Sequence, residues 1–192
     1  MNVAIYIYEN AEVLDFSGPY EVFSTASRVD GESPFNVFLV AQTLTPVSAR
    51  AGFKVIPHFS IDDHPEIDVL ITVGGVHLPE LDKAEVIQWI GQQASKAKLV
   101  ASVCTGVFLL AKAGVVTTEK VATHWQDIDD LKSMFPTLNV VDSTRWIDQG
   151  RVVTSGGISA GIDMSLHLVG RLHGLELATQ TAIQMEFCWR EK

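Results

Sequence analysis

Hydrophobic and polar positions alternate along the chain in two kinds of pattern. Short runs that are almost entirely apolar are typical of strands buried on both faces of a sheet. These runs cover residues 3–8, 35–42, 68–75 and 99–103. Other segments have apolar residues at three- and four-residue spacing, which predicts helices with one buried face. The predicted helices cover residues 18–27, 84–97, 106–114 and 123–135. Strands that alternate with helices predict an α/β fold, a three-layer sandwich with a mainly parallel central sheet flanked by helices.

The remaining segments predict smaller elements. Residues 45–61 favour a short hairpin or edge strands around Ala51 and Gly52. Residues 139–157 favour two or three short strands with a turn at Gln149 and Gly150. The tail predicts two helices separated by Gly174. There is no internal repeat and no linker-like segment, so we expect residues 1–192 to form a single domain.

Composition and charge narrow the classes of function. The chain has 192 residues, of which 47% are hydrophobic and 19% charged, as expected of a folded protein with a substantial core. The formal net charge of -9 argues against nucleic acid as a partner, because phosphate binding requires clustered Lys and Arg. No apolar run reaches the roughly 20 residues that span a bilayer. The only cysteines, Cys104 and Cys188, are far apart, which favours a reducing cytoplasm over a disulfide framework.

Candidate chemistry falls at the ends of three predicted strands. Asp15 follows the first strand, the pair Gly74 and Gly75 ends the third, and Cys104 ends the fourth. Ligands of parallel α/β sheets bind at the carboxyl ends of the strands. We therefore expect these residues to meet at one edge of the sheet and to bind a small-molecule substrate.

Cys104 has two interpretations from its local sequence. A free cysteine is most often a small apolar core residue. Alternatively, it is a nucleophile at a sharp strand-to-helix turn, where the helix N-terminus favours the thiolate. The G-x-S-x-G frame of such turns is incomplete, because glycine follows only on one side, at Gly106. Both interpretations stay open at this point.

Asp15 also has two interpretations. It could cap a helix or form a turn. Between Leu14 and Phe16, however, its carboxyl would be partly desolvated, which raises a carboxyl pKa and fits the group to donate a proton to a sulfur or a substrate. Glu21 is a rival for this role.

Backbone amides and histidines complete the set of candidates. Gly75 could simply close a strand, or its N–H and that of Thr105 could stabilise a developing negative charge. His124 opens a predicted helix and is the more attractive partner for Cys104, or it simply packs beside Trp125. His77 could line the same crevice. No pair of histidines or cysteines has the spacing of metal ligands, so we expect no metal site.

Five segments of the sequence, in order, resemble the ThiJ/PfpI superfamily of class I glutamine amidotransferase-like folds. They are AEVLDFSGPYEVF, DVLITVGG, VASVCTGVFLLAKAGVV, ATHW and VTSGGISAGIDMSLHLV. The match extends from the first strand to about residue 170. Within the superfamily the sequence is most similar to the isocyanide (isonitrile) hydratase branch and to the sensor domains of amidotransferase-like AraC regulators.

The resemblance implies a flavodoxin-like sandwich and a mechanism. Cys104 would be the nucleophile, Asp15 the acid hydrogen-bonded to it, and Gly75 and Thr105 the sources of stabilising amides. His124 matches a histidine that is common in this branch. In such hydratases the thiolate attacks the terminal carbon of an isocyanide and the resulting thioimidate is resolved by water to an N-substituted formamide, without a cofactor. A neutral Asp15 would deliver the proton that the reaction needs.

The sequence departs from these relatives in its tail. It lacks the C-terminal extension of family hydratases and the basic helix-turn-helix segment of AraC regulators, so a DNA-binding regulator is disfavoured. The alternatives are a redox or stress-responsive protein in which Cys104 is oxidised, and a glyoxalase, deglycase or amidase-type hydrolase.

Superfamily members usually dimerise, and we expect a homodimer here. The C-terminal helices add to this expectation, because they carry more apolar residues than one small domain needs to bury: Leu166, Val169, Leu172, Ile183, Phe187 and Trp189.

Overall fold

The computed structural model describes residues 1–190, which form a central sheet flanked by helices. The strands are β1 (Asn2–Tyr6), β2 (Asn36–Ala41), β3 (Val47–Ser48), β4 (Lys54–Val55), β5 (Phe59–Ser60), β6 (Val69–Thr72), β7 (Leu99–Ser102), β8 (Lys120–Val121), β9 (Asn139–Val140), β10 (Trp146–Asp148) and β11 (Val152–Ser155). The helices are α1 (Val13–Asp30), α2 (Leu78–Leu81), α3 (Ala84–Lys96), α4 (Gly106–Lys112), α5 (Ile128–Met134), α6 (Ala160–His173) and α7 (Leu175–Gln184).

The main sheet has seven strands in the order β10-β11-β7-β6-β1-β2-β5. All neighbouring strands are parallel except β10, which pairs antiparallel with β11. The four central strands β1, β2, β6 and β7 are the continuous apolar runs of the sequence, and nearly all their residues are buried. The predicted parallel α/β sandwich is therefore confirmed.

Two groups of helices flank this sheet. Helices α1, α6 and α7 pack against one another, and α1 also contacts β1 and β2. Helices α2, α3 and α4 form a second group, in which α4 contacts β6 and β7. Within residues 1–190 no helix combines the length and the apolar character needed to cross a membrane.

Helix α1 begins earlier than the sequence pattern predicts. The pattern predicts a helix over residues 18–27, which would put Pro19 in a first turn, where proline is favourable, but the helix covers Val13–Asp30 and Pro19 lies inside it. Glu12 is the extended residue before the first turn, and the Ser17 hydroxyl donates to the Val13 carbonyl at 2.8 Å. The earlier start has a consequence for the site, because it puts Asp15 in the first helical turn.

Other boundaries differ for local reasons. The third predicted strand, 68–75, ends at Thr72, because the backbone turns away there: the Gly74 N–H donates to Asp15 Oδ2 and its carbonyl accepts the Glu12 N–H, and the Gly75 N–H donates to the Thr105 hydroxyl. The predicted helix over residues 123–135 begins as a 3₁₀ turn, Trp125–Asp127, and continues as α5. The expected turns at Gln149 and Gly150 and at Gly174 are present.

The apolar residues of the C-terminal helices are mostly buried within the chain itself. Leu166 and Val169 are fully buried, and Leu172, Phe187 and Trp189 pack against the core. Among the six residues that we expected to be in surplus, only Ile183 is largely exposed, at 71%. That expectation was wrong, because α6 and α7 pack on α1 as well as on each other and so bury more apolar surface than their own length suggests.

Candidate active site

Cys104 lies at a sharp bend between the end of β7 and the start of α4. Its φ of 57° is in the left-handed region, which a residue with a β-carbon seldom adopts without support from its surroundings. The support is visible on both sides of the residue. The Cys104 N–H donates to the carbonyls of Ser155 and Gly156, both at 3.2 Å, and the Thr123 hydroxyl donates to the Cys104 carbonyl at 3.1 Å. The bend is therefore held in place by neighbouring segments of the chain.

Asp15 reaches the same bend from the first turn of α1. Its side chain is fully buried, and its Oδ2 accepts the Gly74 N–H at 3.0 Å. A β-carbon on Gly74 would lie 2.7 Å from Asp15 Oδ2 and 2.7 Å from the Cys104 β-carbon. Only glycine fits between these groups, so Gly74 allows the carboxyl and the cysteine to approach each other. The sequence prediction that they meet at one sheet edge is consistent with this geometry.

The two side chains shift each other's proton affinity. Burial raises the pKa of Asp15 from 3.8 to about 7, while the Gly74 N–H and the Cys104 thiol oppose that rise. Burial, and then the nearby Asp15 carboxylate, raise the pKa of the Cys104 thiol well above its ordinary value. Near neutral pH the sulfur therefore holds its proton and Asp15 is close to half ionised. The helix N-terminus does not produce a resting thiolate here, contrary to what the position of Cys104 before α4 suggested.

Gly75 and Thr105 are bonded to each other. The Gly75 N–H donates to the Thr105 hydroxyl at 3.1 Å, and that hydroxyl lies 3.3 Å from the Gly75 carbonyl. The Thr105 backbone N–H points at the Cys104 sulfur closely enough to lower the thiol pKa. Tyr8 adds support behind this turn, because its buried hydroxyl donates to the Val73 carbonyl at 3.1 Å. The Gly75 N–H is therefore already hydrogen-bonded to Thr105 and is not free to bind a substrate.

His124 lies beside the same cavity, before the 3₁₀ turn. Its Nδ1 is 3.1 Å from Asp127 Oδ2, which orients the ring. Gly157 packs directly against that ring, since a β-carbon on Gly157 would lie 2.1 Å from His124 Cδ2.

Replacing Gly157 by alanine is expected to displace the His124 ring from Asp127, because the added methyl group occupies the ring's place. Such overpacking typically costs about 1–3 kcal/mol. The measurement is the free energy of unfolding, together with the shift of the His124 ring resonances in NMR spectra. Gly170→Ala is the matched control, because its β-carbon would meet nothing closer than 3.5 Å. Equal stability and unchanged His124 resonances in Gly157→Ala would contradict the prediction.

The cavity above Cys104 has a volume of about 290 Å³. It is lined by Glu12, Arg50, Gly75, Cys104, Thr105, His124, Gln126, Asp127 and Ile158. Cys104 itself is 6% exposed, so a substrate reaches it only through this cavity. A larger groove of about 830 Å³ lies along α3 and the end of α4, and it shares no lining residue with the Cys104 cavity.

Two residues considered as alternatives do not line the cavity. Glu21 is exposed and accepts hydrogen bonds from Thr25 and Arg28 on its own helix. His77 is buried, with its Nδ1 3.4 Å from the Gly75 carbonyl, and burial lowers its pKa. Of the candidates, Gly75, Thr105 and His124 line the cavity together with Cys104, and Asp15 is hydrogen-bonded to Cys104, whereas Glu21 and His77 lie outside the cavity.

Sequence reasoning did not single out Glu12, Arg50 or Ile158. Arg50 immediately precedes the Ala51–Gly52 turn of the predicted hairpin, so its presence in a turn was readable. Its place at the site was not, because it depends on a contact between distant segments: the Arg50 N–H donates to the Ala11 carbonyl at 3.0 Å. Among residues 1–190 there is no group of three His, Cys, Asp or Glu side chains arranged to hold a metal ion.

Comparison with known proteins places this architecture among its relatives. A model described as the DJ-1/PfpI family matches residues 1–171. An isonitrile hydratase of Pseudomonas putida is 31% identical over 189 residues, which cover 97% of this chain and 78% of that protein. The HTH-type transcriptional regulator GbdR of Pseudomonas aeruginosa is 27% identical over 177 residues, which cover 92% of this chain but only 48% of the regulator. The crystal structure of a ThiJ/PfpI family protein from Pseudomonas syringae superposes with a TM-score of 0.88 at 26% identity, covering 98% of this chain and 76% of that one.

Proposed function

Because the chain belongs to the DJ-1/PfpI family, we propose that it is a cysteine-dependent enzyme that hydrates a small isocyanide to an N-substituted formamide. The similarity to an isonitrile hydratase supports an enzyme that acts on small molecules. Because other relatives are transcriptional regulators, support for the reaction comes from the residues of the site. The observation that carries the proposal is the buried pair of Cys104, which lines the cavity, and Asp15, which is hydrogen-bonded to it.

The pair supplies the two functions that the reaction needs. In the first step ionised Asp15 takes the thiol proton as the Cys104 sulfur bonds to the terminal carbon of R–N≡C. Asp15 then delivers that proton to the same carbon, which gives the thioimidate R–N=CH–S–Cys104. The Thr105 backbone N–H lies beside the sulfur, where it can stabilise charge that develops during attack.

Water completes the reaction. A water molecule adds to the thioimidate carbon: its oxygen forms the new C–O bond, and Asp15 takes one of its protons and delivers it to the nitrogen, which leaves the hydroxyl proton to pass through Asp15 to the sulfur. The C–S bond then breaks, which releases R–NH–CHO and returns the thiol of Cys104. The sum is R–NC plus H₂O giving R–NHCHO, with no oxidant, reductant or cofactor consumed.

The pH dependence tests this assignment. In the reactive form Cys104 holds its proton and Asp15 is ionised. Below the Asp15 pKa of about 7 Asp15 is protonated as well and cannot take the thiol proton, so kcat/KM is expected to rise with pH and level off above that value. The measurement is formation of p-nitrophenylformamide from p-nitrophenyl isocyanide, followed chromatographically between pH 5 and pH 9. Absence of formamide at every pH, or a rate that falls as pH rises through 7, would argue against the mechanism.

The alternative of a redox-responsive protein has less support from the site. Redox-sensing cysteines are typically accessible to solvent and have a lowered pKa, whereas Cys104 is buried and burial raises the pKa of its thiol. Nucleophilic catalysis, rather than oxidation, is therefore the role that we propose for Cys104.

The proposal also includes a homodimer in the cytoplasm that binds no nucleic acid. Exposed apolar side chains on segments next to the cavity, among them Leu14, Phe53, Trp125 and Ile158, are the surface that supports self-association. Two unpaired cysteines and a net charge of -9 agree with a reducing compartment and with the absence of a phosphate-binding surface.

A further inference from the structure

The cavity above Cys104 is more polar than a site for a purely hydrocarbon isocyanide requires. Ile158 is the one large apolar side chain among its lining residues. Its volume of about 290 Å³ lies at the small end of ligand sites, which suits a molecule of few heavy atoms. Polar groups that face so small a volume will contact the substrate, so their charges bear on which substrate fits.

The charged groups of the cavity form two pairs of different strength. His124 and Asp127 are within hydrogen-bond distance, at 3.1 Å. Arg50 and Glu12 are further apart, with 3.6 Å between Arg50 Nε and Glu12 Oε2. The Arg50 side chain is 53% exposed, and a loose, solvated pair of this kind contributes little stability. Glu12 is therefore a partner that Arg50 can exchange.

The guanidinium of Arg50 has donors to spare. Its Nε is the atom nearest Glu12, and within residues 1–190 none of its side-chain N–H groups makes a hydrogen bond. An arginine fork with two free terminal nitrogens matches a carboxylate, which it can bind through two parallel hydrogen bonds.

The backbone holds Arg50 at this position. Its N–H donates to the Ala11 carbonyl at 3.0 Å, and its carbonyl accepts the Phe53 N–H at 3.2 Å. Between these contacts Ala51 has a φ of 55°, which marks a tight turn. Since both ends of the turn are tied, the guanidinium is presented to the cavity without first ordering a mobile loop.

We propose that Arg50 favours substrates that carry a carboxylate, so that a small isocyano acid is a better substrate for Cys104 than a neutral isocyanide. The carboxylate displaces Glu12 from Arg50, while the reactive carbon lies over the sulfur. The substrate class rests on the proposed function, but the preference for an anion in this cavity does not, and the two are tested separately.

The anion preference is tested by alkylation of Cys104, which requires no turnover. Iodoacetate and iodoacetamide react alike: the sulfur bonds to the CH₂ carbon, the C–I bond breaks, iodide leaves, and the thiol proton passes to Asp15 or water. They differ in charge, so the ratio of their rates at Cys104 reports whether the cavity favours an anion. Peptide mass spectrometry resolves the two cysteines, and exposed Cys188 is an internal reference for intrinsic reactivity.

Arg50→Gln is expected to lower the iodoacetate to iodoacetamide ratio at Cys104 by about three- to tenfold, while the ratio at Cys188 stays constant. Glu12→Gln is expected to raise the ratio at Cys104, because it removes the competing carboxylate. Arg28→Gln is the control, since Arg28 pairs with Glu21 on α1 away from the cavity. An unchanged ratio in Arg50→Gln, an equal fall in Arg28→Gln, or a Cys104 that takes no iodoacetate would overturn the anion preference.

The substrate class is tested with a matched pair of isocyanides. Isocyanoacetate and its methyl ester have the same reactive group and differ mainly in the negative charge. The wild-type protein is expected to hydrate isocyanoacetate with the higher kcat/KM, and Arg50→Gln is expected to reverse or cancel that preference through KM. If neither isocyanide is hydrated but the alkylation ratio still responds to Arg50→Gln, the proposed function fails and the anion preference stands. Hydration of both at equal rates, unaffected by Arg50→Gln, would retain the function and refute the substrate class.

Discussion

Replacing Cys104 by alanine is expected to abolish hydration of p-nitrophenyl isocyanide, with kcat/KM lower by more than about 10³-fold. Cys104 lines the cavity, and its sulfur is hydrogen-bonded to Asp15, so it is the nucleophile that a bound substrate would meet. Without the sulfur no thioimidate forms, and the carboxyl that remains can only act on water. The change is small in volume and keeps the bend, because the contacts that hold Cys104 involve its backbone N–H and carbonyl.

The matched control is Cys188→Ala, because Cys188 is the exposed second cysteine and lies outside the cavity. It is expected to keep full activity. Mass spectrometry of the wild-type protein after rapid quenching should also find a covalent adduct on Cys104 and none on Cys188. Undiminished turnover by Cys104→Ala would remove the nucleophile from the mechanism altogether.

Replacing Asp15 by asparagine is expected to abolish turnover while making the protein more stable above neutral pH. Asparagine keeps the shape of the side chain and an oxygen for the Gly74 N–H, but it carries no charge and transfers no proton. The pKa of Asp15 is about 7 in the folded protein and near 3.8 when unfolded, so folding favours the protonated form. Stability is therefore lost as pH rises between these values, by roughly 4 kcal/mol in total, and the loss is complete above pH 7.

The measurement is the free energy of unfolding by denaturant at pH 4 and at pH 8. Wild type and Asp15→Asn should differ little at pH 4, and the variant should be the more stable at pH 8. Asp163→Asn is the contrasting control, because Asp163 is equally buried but paired with Arg145, whose Nε donates to its Oδ2 at 2.6 Å. Removing one partner of such a pair is expected to destabilise by about 3–5 kcal/mol at pH 8. A stability difference between wild type and Asp15→Asn that does not depend on pH would contradict the raised pKa of Asp15.

The stability that the buried Asp15 carboxylate costs at neutral pH indicates a functional rather than a structural role for this residue. A buried ionisable group that has no compensating cation and a strongly shifted pKa is more often part of a catalytic or binding site than a structural element. Asp163, by contrast, is held by Arg145 and by the Arg190 backbone N–H, and it fastens Arg190 to α6. The two fully buried aspartates thus differ in their partners: Asp163 forms a structural ion pair, whereas Asp15 has no cation beside it and is the candidate for proton transfer.

Much of the fold could be predicted because its signals are local. Continuous apolar runs in β1, β2, β6 and β7 can be buried only inside a covered parallel sheet, and their order with the intervening helices leaves few topologies. The start of α1 was missed, because Pro19 is compatible with both a first turn and a helix interior. The surplus of apolar residues in α6 and α7 was overstated, because the packing of three helices on one another is a long-range property.

The sequence by itself determined the parallel sheet and the edge at which Cys104, Asp15 and the Gly74–Gly75 pair could meet, since these depend on hydrophobic period and strand direction. Whether Cys104 lies at a sharp bend was decided only by the structure. The tertiary structure alone decided the protonation of the pair, because the pKa of Asp15 and of Cys104 depend on burial and on their mutual distance. It also decided that the Gly75 N–H bonds Thr105 and that Arg50 faces the cavity, since these contacts join segments 30 and 39 residues apart that no local pattern connects.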